Sequence, residues 1–283
     1  MTDLALIYLA RGVGGGLKSA EIFFKNYQAY PPGCDHDFYV IAKGWDDERE
    51  INELRKLTAI NKAKLIHLED DGYDWGAYMR VTPCLESEWV CFLNTHSKPC
   101  AKGWLNQLMS VALTEGEEFG AAGATASWES LAKFTLPPAQ NKKYRSIFHG
   151  TIRFLVNFPK FLLNIIHFPY FPNPHLRSNC FIVKRALFLE FTSEQTIPRS
   201  KRDASILESG RQGFSRYLEK KGLKMLVVNS KGEIFNKWEW KTAGTFRVPH
   251  QTGLLVSDNQ TEMYAKSSHF IRQILEISAW GRA

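Results

Sequence analysis

The first half of the chain alternates apolar, strand-like runs with amphipathic, helix-like segments, and this alternation limits the accessible folds more than any other feature. Residues 4–10 (LALIYLA) form a continuous apolar run, as expected of a strand that is buried on both faces. Similar runs occur at 37–42, 63–68, 89–93 and 119–124, and helix-like segments occur at 20–30, 46–57, 73–85 and 102–113. Because strands that alternate with helices are joined by crossover connections, the pattern predicts an α/β fold with an open, mostly parallel sheet flanked by helices.

The second half of the chain is less regular. It contains two strand-like runs, 179–183 and 224–228, and one helix-like stretch, 204–221. Residues 147–174 are rich in aromatic and basic side chains and contain four prolines. The tail from residue 233 onward shows no clear pattern. With 283 residues, of which 44% are hydrophobic, the chain is large enough for one substantial globular domain.

The net charge and the cysteine content limit the ligands and the cellular compartment that we expect for this chain. The net charge of +7 suits a protein that meets phosphate-bearing ligands, an anionic membrane or nucleic acid. The basic residues are dispersed and no nucleic-acid-binding motif is present, so we expect no nucleic-acid partner. The five cysteines form no CxxC pair, and the N-terminal residues do not resemble a signal peptide. We therefore expect a cytoplasmic protein with reduced thiols.

The most apolar stretch is residues 154–171. It does not reach the ~18 uninterrupted apolar residues that a transmembrane helix needs. Its Phe, Leu, Ile and Lys residues suit a helix at a membrane surface, but Pro159 and Pro169 argue against one. The favoured interpretation is a segment that covers or shapes a binding cleft, and the alternative is a peripheral contact with a membrane.

A glycine-rich segment, residues 11–19 (RGVGGGLKS), follows the first strand-like run. A P-loop would need a second glycine where Leu17 stands, and an acidic residue after the fourth strand, where Asn94 stands instead. The segment therefore favours a glycine loop that turns into a helix. A loop that touches a nucleotide, or a phosphotransferase of the P-loop kind, is the alternative.

Polar residues follow the third and fourth strand-like runs, at the edge of the sheet where α/β proteins bind ligands. Asp71 and Asp74 precede a helix, where an Asp is often only a cap. Asn94, His96 and Lys98 alternate along one extended segment, so their side chains are expected to point the same way. An amide, an imidazole and an ammonium group together suit a diphosphate, with or without a divalent metal ion.

Two further polar segments lie in the second half. Arg177 and Asn179 lead into a strand-like run. Asp203 and Glu208 are five residues apart in a helix-like stretch, about 140° around a helix, so they are not expected to share a face. Glu208 could equally form a surface contact with Arg211, three residues further on.

In their order and spacing, these motifs resemble the family 2 glycosyltransferases, in particular bacterial polysaccharide-synthesis proteins, over about residues 4–228. The segment DDGYDWGAY (70–78) is similar to the block in which those enzymes hold the nucleotide sugar. FLNTHSKP (92–99) occupies the position of their Asp-x-Asp segment, and RSNCFIVKR (177–185) resembles the stretch before the acceptor helix. LESGR (207–211) resembles the block that supplies the catalytic carboxylate.

The resemblance implies a GT-A-like fold and an enzyme that moves a sugar from a nucleotide-diphosphate donor to a hydroxyl group of a glycan or lipid-linked glycan, with inversion. Glu208 would be the catalytic base, with Asp203 as its substitute. Arg177 and Asn179 would contact the acceptor or the sugar. The donor-binding residues that it implies are Ala10, Arg11, Asp46, Asp71, Asp74, Asn94, His96 and Lys98.

The chain departs from the family pattern at the metal site. Asn94 and His96 stand where two carboxylates are expected, and neutral ligands hold Mg²⁺ or Mn²⁺ less tightly, although His can serve Mn²⁺. The resemblance implies Mg²⁺ or Mn²⁺ held by Asn94 and His96. The alternative is a metal-independent reaction, in which Lys98, His96 or an arginine neutralises the departing diphosphate.

The resemblance also implies an organisation for the whole chain. Residues 1–125 would form a nucleotide-sugar-binding half and residues 126–283 an acceptor-binding and catalytic half, continuous as a single domain. The protein would act in the cytoplasm, with peripheral contact at the inner face of the membrane as an option. The rival interpretations are a P-loop-like phosphotransferase and a non-catalytic nucleotide- or carbohydrate-binding module that kept the fold.

Overall fold

The computed structural model describes residues 3–132 and 161–282, and within them the largest feature is an eight-stranded sheet. The strands in chain order are β1 (Leu4–Arg11), β2 (Asp37–Lys43), β3 (Lys64–Leu68), β4 (Trp89–Leu93), β5 (Lys98–Pro99), β6 (Phe119–Gly123), β7 (Ala126–Ser127), β8 (His175–Leu176), β9 (Cys180–Lys184), β10 (Lys224–Val228), β11 (Ile234–Phe235) and β12 (Val256–Ser257). The main sheet has the order β11-β10-β6-β9-β4-β1-β2-β3. Two short pairs, β5 with β12 and β7 with β8, lie outside it.

Helices cover both faces of this sheet. They are α1 (Gly16–Ala29), α2 (Glu48–Ile60), α3 (Tyr73–Val81), α4 (Trp104–Thr114), α5 (residues 161–167), α6 (Arg185–Ser193), α7 (Lys201–Ser209), α8 (Phe214–Lys220), α9 (Asn259–Lys266) and α10 (His269–Trp280). Capping side chains fix several starts: Asp47 accepts a hydrogen bond from Arg49 N at the start of α2, and α7 and α9 begin with capping boxes. These caps satisfy backbone N–H groups that the helices leave without partners.

β1 explains the continuous apolar run at the start of the chain. Its residues alternate between two hydrophobic clusters, one on each face of the sheet: Ile7 and Leu9 belong to one cluster, and Leu6 and Tyr8 to the other. All four are buried. On the second face the ring of Tyr8 stacks on Phe23 of α1, with centroids 3.7 Å apart. A strand between two helix layers has no polar face, so its sequence shows no alternation.

The direction of β9 determines which segments meet at the ligand-binding edge. Six strands of the main sheet are parallel, whereas β9 and β11 run antiparallel to their neighbours. β9 lies between β4 and β6. Because it is reversed, the residues before β9 lie beside the residues that follow β4 and β6. The carboxyl edge of the parallel strands therefore also receives residues 177–179.

The α/β fold with an open, mostly parallel sheet is confirmed. The strands expected at 4–10, 37–42, 63–68, 89–93 and 119–124 correspond to β1, β2, β3, β4 and β6. The helix expected over 73–85 ends at Val81 and continues as a short 3₁₀ turn, Thr82–Cys84. The reason is Pro83, which has no backbone N–H to donate to the next hydrogen bond of the helix.

Part of the apolar segment 154–171 lies outside the described residues, namely 154–160. Its remainder forms α5 and the loop that follows, in which Phe168 is buried and several other apolar side chains are exposed. In the part of the chain that the structure describes, no helix combines the length and the apolar character required to cross a membrane.

Candidate functional site

A cavity of about 460 Å³ opens at the carboxyl edge of the parallel strands. Its walls come from segments far apart in the sequence. They are the loop after β1, the start of α3, the turn after β4, residues 127–131 after β6, residues 175–179 before β9, residues 201–209 of α7, and residues 246 and 258–260. A polar cavity at this edge is the usual ligand-binding position of an open α/β sheet.

In the wall of the cavity, the carboxylates of Glu208 and Asp74 both accept hydrogen bonds from Ser178. The backbone N–H of Ser178 donates to Glu208 Oε1 at 2.6 Å, and Ser178 Oγ donates to Asp74 Oδ2 at 2.8 Å. Glu208 is half-buried. Burial, together with the nearby charge of Asp74, raises the pKa of Glu208 from its ordinary 4.5 to about 7. A carboxylate with this proton affinity can act as a base near neutral pH.

The periodicity of α7 explains why Glu208 faces the cavity. Lys201, Ala204, Ser205 and Glu208 all line it, at the i, i+3, i+4 and i+7 positions of one helix face. Lys201 belongs to no ion pair among the described residues, so its ammonium group is available to an anionic ligand. Sequence reasoning missed Lys201, although its spacing from Glu208 could have indicated it.

Asp203 lies on a different face of α7 and does not line the cavity. Its Oδ2 accepts from the backbone N–H groups of Ser200 and Arg199 at 2.9 and 3.1 Å. The Ser200 hydroxyl in turn accepts from the Asp203 backbone N–H at 3.2 Å. The carboxylate of Asp203 therefore caps the helix that carries Glu208, because the angle between positions five residues apart separates the two side chains.

The turn after β4 holds Asn94 and His96 at the cavity, whereas Lys98 lies elsewhere. Asn94 Oδ1 accepts from the backbone N–H of His96 at 3.0 Å, which closes the turn, and the Ser97 hydroxyl donates to the Asn179 carbonyl. His96 is half-buried, and burial lowers the pKa of its imidazole, so the ring is neutral at pH 7. Lys98 is outside the cavity lining and pairs with Glu262 of α9, because β5 pairs with β12 there.

The Asn94 and His96 pair does not fit a divalent metal ion. Asn94 Oδ1 is the oxygen that would bind the ion, and it already accepts a hydrogen bond from the backbone N–H of His96. Mg²⁺ in addition prefers carboxylate and phosphate oxygens to imidazole nitrogen. In residues 3–132 and 161–282, no group of three or more His, Cys, Asp or Glu side chains converges on a common point. We therefore derive no reaction step through a metal ion.

Arg177 and Asn179, the residues before β9, both line the cavity. Arg177 donates to Asp258 Oδ2 at 2.6 Å and lies over the ring of Phe246, with its guanidinium carbon 4.1 Å from the ring centroid. Asn179 Oδ1 accepts from Thr125 Oγ1 at 2.5 Å. Asn179 Nδ2 is buried and has no hydrogen-bond partner, so a donor remains available at the cavity wall.

The C-terminal tail contributes residues that the sequence did not predict. Phe246, Asp258, Asn259 and Gln260 all line the cavity. Asp258 is almost fully buried, and its ion pair with Arg177 outweighs the effect of burial and lowers its pKa. The sequence offered one indication, the Asp258-x-x-Thr pattern, which is typical of a helix start. This pattern predicts where α9 begins, but it does not indicate that Asp258 pairs with Arg177.

Asp71, Ala10 and Asp46 lie away from this cavity. Asp71 lines a second cavity of about 620 Å³ and pairs with Arg80 on the solvent side of α3. Ala10 is buried in β1, and its carbonyl oxygen accepts from Trp45 Nε1 at 2.8 Å. Asp46 is exposed and borders neither cavity.

Arg11 borders both cavities. Its guanidinium forms a two-fold contact with the Asp70 carboxylate, at 2.7 and 2.9 Å. This pairing raises the pKa of Arg11 and lowers that of Asp70. Arg11, held by Asp70, therefore lies at the border between the two cavities.

The glycine loop after β1 is shaped by close backbone packing. A side chain on Gly12 would come 2.1 Å from the carbonyl oxygen of Gly44, and one on Gly15 would come 2.4 Å from Thr95 Cγ2. Gly14 has a φ of 81° and lines the cavity. The loop leads into α1, whose first turn has no capping side chain. Its backbone N–H groups therefore remain open to an anion.

No protein-family model and no curated protein matches the chain. One solved structure with a similar overall shape is CMP-2-keto-3-deoxy-manno-octonic acid synthetase in complex with CTP (10% identity, TM-score 0.43, 80% of this chain and 88% of that one). Another is TarS 1–349 from S. aureus (11%, 0.47, 84% and 61%). A third is glucosyl-3-phosphoglycerate synthase from Mycobacterium tuberculosis in complex with Mn²⁺, UDP-glucose and glycerol 3-phosphate (12%, 0.36, 65% and 57%). At these identities and scores, the comparisons assign no residue of this chain a role.

Proposed function

We propose that this protein is a glycosyltransferase that moves a sugar from a nucleotide-diphosphate donor to an acceptor hydroxyl group, with Glu208 as the general base. The observation that carries the proposal is the position of Glu208. It lines a polar cavity at the carboxyl edge of the sheet, beside Ser178 and Asp74, with its pKa raised to about 7. A base of this proton affinity is matched to the removal of a hydroxyl proton near neutral pH.

In the proposed step, Glu208 takes the proton of the acceptor hydroxyl while that oxygen bonds to the anomeric carbon of the donor sugar. The bond between the anomeric carbon and the diphosphate oxygen breaks, and its electron pair leaves with the nucleoside diphosphate. A single displacement of this kind inverts the configuration at the anomeric carbon. A positioned general base typically contributes ~10²–10⁴-fold to the rate.

Two features would stabilise the departing diphosphate without a metal ion. Lys201 lies two helical turns before Glu208 on the same face of α7 and has no carboxylate partner among the described residues. The uncapped start of α1 presents backbone N–H groups next to Gly14. An ammonium group and a helix N-terminus both favour negative charge, and their effect increases where water is excluded.

The remaining cavity residues receive proposed contacts. Asp74, Asn94 and His96 are the proposed donor contacts, with Arg11 at the rim, and Arg177 and Asn179 are the proposed contacts with the acceptor or the transferred sugar. In this proposal residues 1–125 supply the donor side, and residues 126–283 supply the acceptor side and the base. The acceptor is a glycan or a lipid-linked glycan, and the enzyme acts in the cytoplasm.

Calorimetric titration with UDP-, GDP-, CMP- and dTDP-sugars tests this proposal. We expect at least one class to bind saturably, and Lys201→Ala to weaken that binding about tenfold through the loss of a charged hydrogen bond. Lys25→Ala, on α1 and outside both cavities, is the matched control and should bind as the wild type does. Absence of binding by every donor class would contradict the proposal, as would equal losses in the two variants.

A further inference from the structure

One face of α10 is apolar and exposed. Phe270, Ile271, Ile274 and Ile277 occupy the i, i+1, i+4 and i+7 positions of this helix, and Phe270 and Ile274 are 68% and 48% exposed. The other side of the same helix is anchored in the protein, because Trp280 is buried and its Nε1 donates to the Phe246 carbonyl at 2.9 Å. The apolar face of α10 therefore points into the solvent, while the opposite side of the helix packs against the protein.

A second exposed apolar group continues from the end of α10. Leu162, Leu163 and Ile166 of α5, followed by Tyr170 and Phe171, are all exposed. The ring of Phe171 lies against the C-terminal end of α10, since a side chain at residue 281 would meet it at 3.0 Å. We call these two groups together the apolar surface. Exposed apolar residues concentrated in this way mark an interaction surface.

The charge distribution of the chain indicates which partner this surface meets. Residues 131–189 contain nine Lys and Arg residues and no Asp or Glu. The net charge of the whole chain is only +7, so the remainder is slightly acidic. α5, Tyr170 and Phe171 belong to this basic stretch. In the described part of the chain, Arg211 donates to the Ile165 carbonyl of α5 at 3.2 Å and so brings a positive charge to the apolar surface. Apolar side chains beside a cation complement a bilayer with anionic head groups, in which acyl chains and negative charge lie a few ångströms apart.

We propose that the apolar surface docks this protein onto an anionic lipid bilayer. Docking does not depend on the proposed enzymatic activity. If that activity holds, docking also brings the cavity toward a lipid-linked acceptor, because Ser278 of α10 donates to Glu129, which lines the cavity. This contact joins the membrane-facing helix directly to the wall of the site.

Flotation of the full chain with lipid vesicles tests the proposal. We expect the protein to float with vesicles of phosphatidylglycerol mixed with phosphatidylcholine, and at least about tenfold less with phosphatidylcholine alone, because the basic residues add an electrostatic attraction. Added salt should weaken the binding. Equal binding to both vesicle types, or none to either, would overturn the proposal.

Variants locate the docking surface. Phe270→Ser combined with Ile274→Ser should lower vesicle partition on the order of 100-fold, since two large apolar side chains no longer enter the bilayer. Ile60→Ser combined with Leu113→Ser is the matched control, because these residues are 69% and 63% exposed but belong to α2 and α4. Unchanged thermal unfolding would establish that both variants fold.

Two results with the variants would overturn the proposal. One is equal vesicle partition of the α10 variant and the control variant. The other is an α10 variant that changes the mass of the protein in solution and leaves vesicle binding intact, which would make the apolar surface an interface between copies of this chain.

Discussion

Glu208 is the residue on which the proposed chemistry depends, and its surroundings explain its proton affinity. Its carboxylate lies half-buried in the cavity wall, with Asp74 on the other side of Ser178. Burial and the charge of Asp74 both disfavour the ionised form, and the hydrogen bonds from Ser178 offset only part of this effect. The folded protein therefore holds a proton on Glu208 at pH values where the unfolded chain has lost it.

Because the pKa of Glu208 is higher in the folded state than in the unfolded state, the stability of the protein depends on pH. Between about pH 4.5 and about pH 7 the folded state binds more protons at this position than the unfolded state, so ionisation of Glu208 lowers the free energy of unfolding as pH rises. Glu208→Gln removes this titration. We expect the variant to gain stability relative to the wild type as pH rises through this window, and urea unfolding at both ends of the window measures the gain.

Asp203→Asn is the control for this measurement, because it removes a neighbouring carboxylate of α7 that lies outside the cavity. Its stability relative to the wild type should not follow the same window. A Glu208→Gln variant whose relative stability is the same at both ends of the window would show that Glu208 has an ordinary pKa.

At the residue scale, the sequence predicted correctly those features that depend on neighbouring positions in the chain. The angle between positions five apart on a helix separates Asp203 from Glu208, and the structure has this separation. Ser178 and Lys201 were not predicted. The role of Ser178 arises from contacts with residues 30 or more positions away, such as its bond to Glu208, and no local pattern encodes such a contact. Lys201, in contrast, could have been found from its helical spacing to Glu208.

At the scale of single elements, the cap of α7 controls how firmly Glu208 is held. Asp203→Ala removes the acceptor for two backbone N–H groups at the start of this helix. We expect the free energy of unfolding to fall by about 1 kcal/mol, with turnover largely retained because the side chain does not line the cavity. Chemical denaturation and a turnover assay on the same preparation measure both quantities.

Asp47→Ala provides the comparison, since Asp47 is the N-cap residue of α2, accepts from the backbone N–H of Arg49 and lies outside both cavities. The two variants should lose similar stability. A loss of turnover by orders of magnitude in Asp203→Ala alone would assign Asp203 a direct part in the reaction and contradict the capping role.

The elements themselves were largely predictable, for a reason that β1 and β9 illustrate. β1 is buried on both faces, so its apolar run identifies it without reference to the rest of the chain. The existence of β9 was predicted in the same way, but its antiparallel direction was not, because direction depends on how the preceding segment returns to the sheet. The helices α9 and α10 were not predicted, although the apolar residues 270, 271, 274 and 277 of α10 have the spacing of one helix face and could have indicated it.

At the scale of the whole molecule, the cavity is the product of the sheet topology. The reversed β9 brings residues 177–179 to the edge formed by β1, β4 and β6, and the C-terminal tail adds Phe246 and Asp258 to the same wall. The sequence predicted which strand ends would meet there, because parallel strands share a carboxyl edge. It did not predict the tail, whose contribution depends on the ion pair between Asp258 and Arg177.

In the proposed function, sugar transfer takes place in this cavity with Glu208 as the base. Release of nucleoside diphosphate from the bound donor, measured across pH for the wild type, Glu208→Gln and Asp203→Asn, tests it most directly. We expect wild-type and Asp203→Asn turnover to rise with pH through about 7, and Glu208→Gln to be slower by ~10²–10⁴-fold with that rise abolished. Wild-type turnover in Glu208→Gln, or no release by any of the three proteins from a donor that binds, would contradict it.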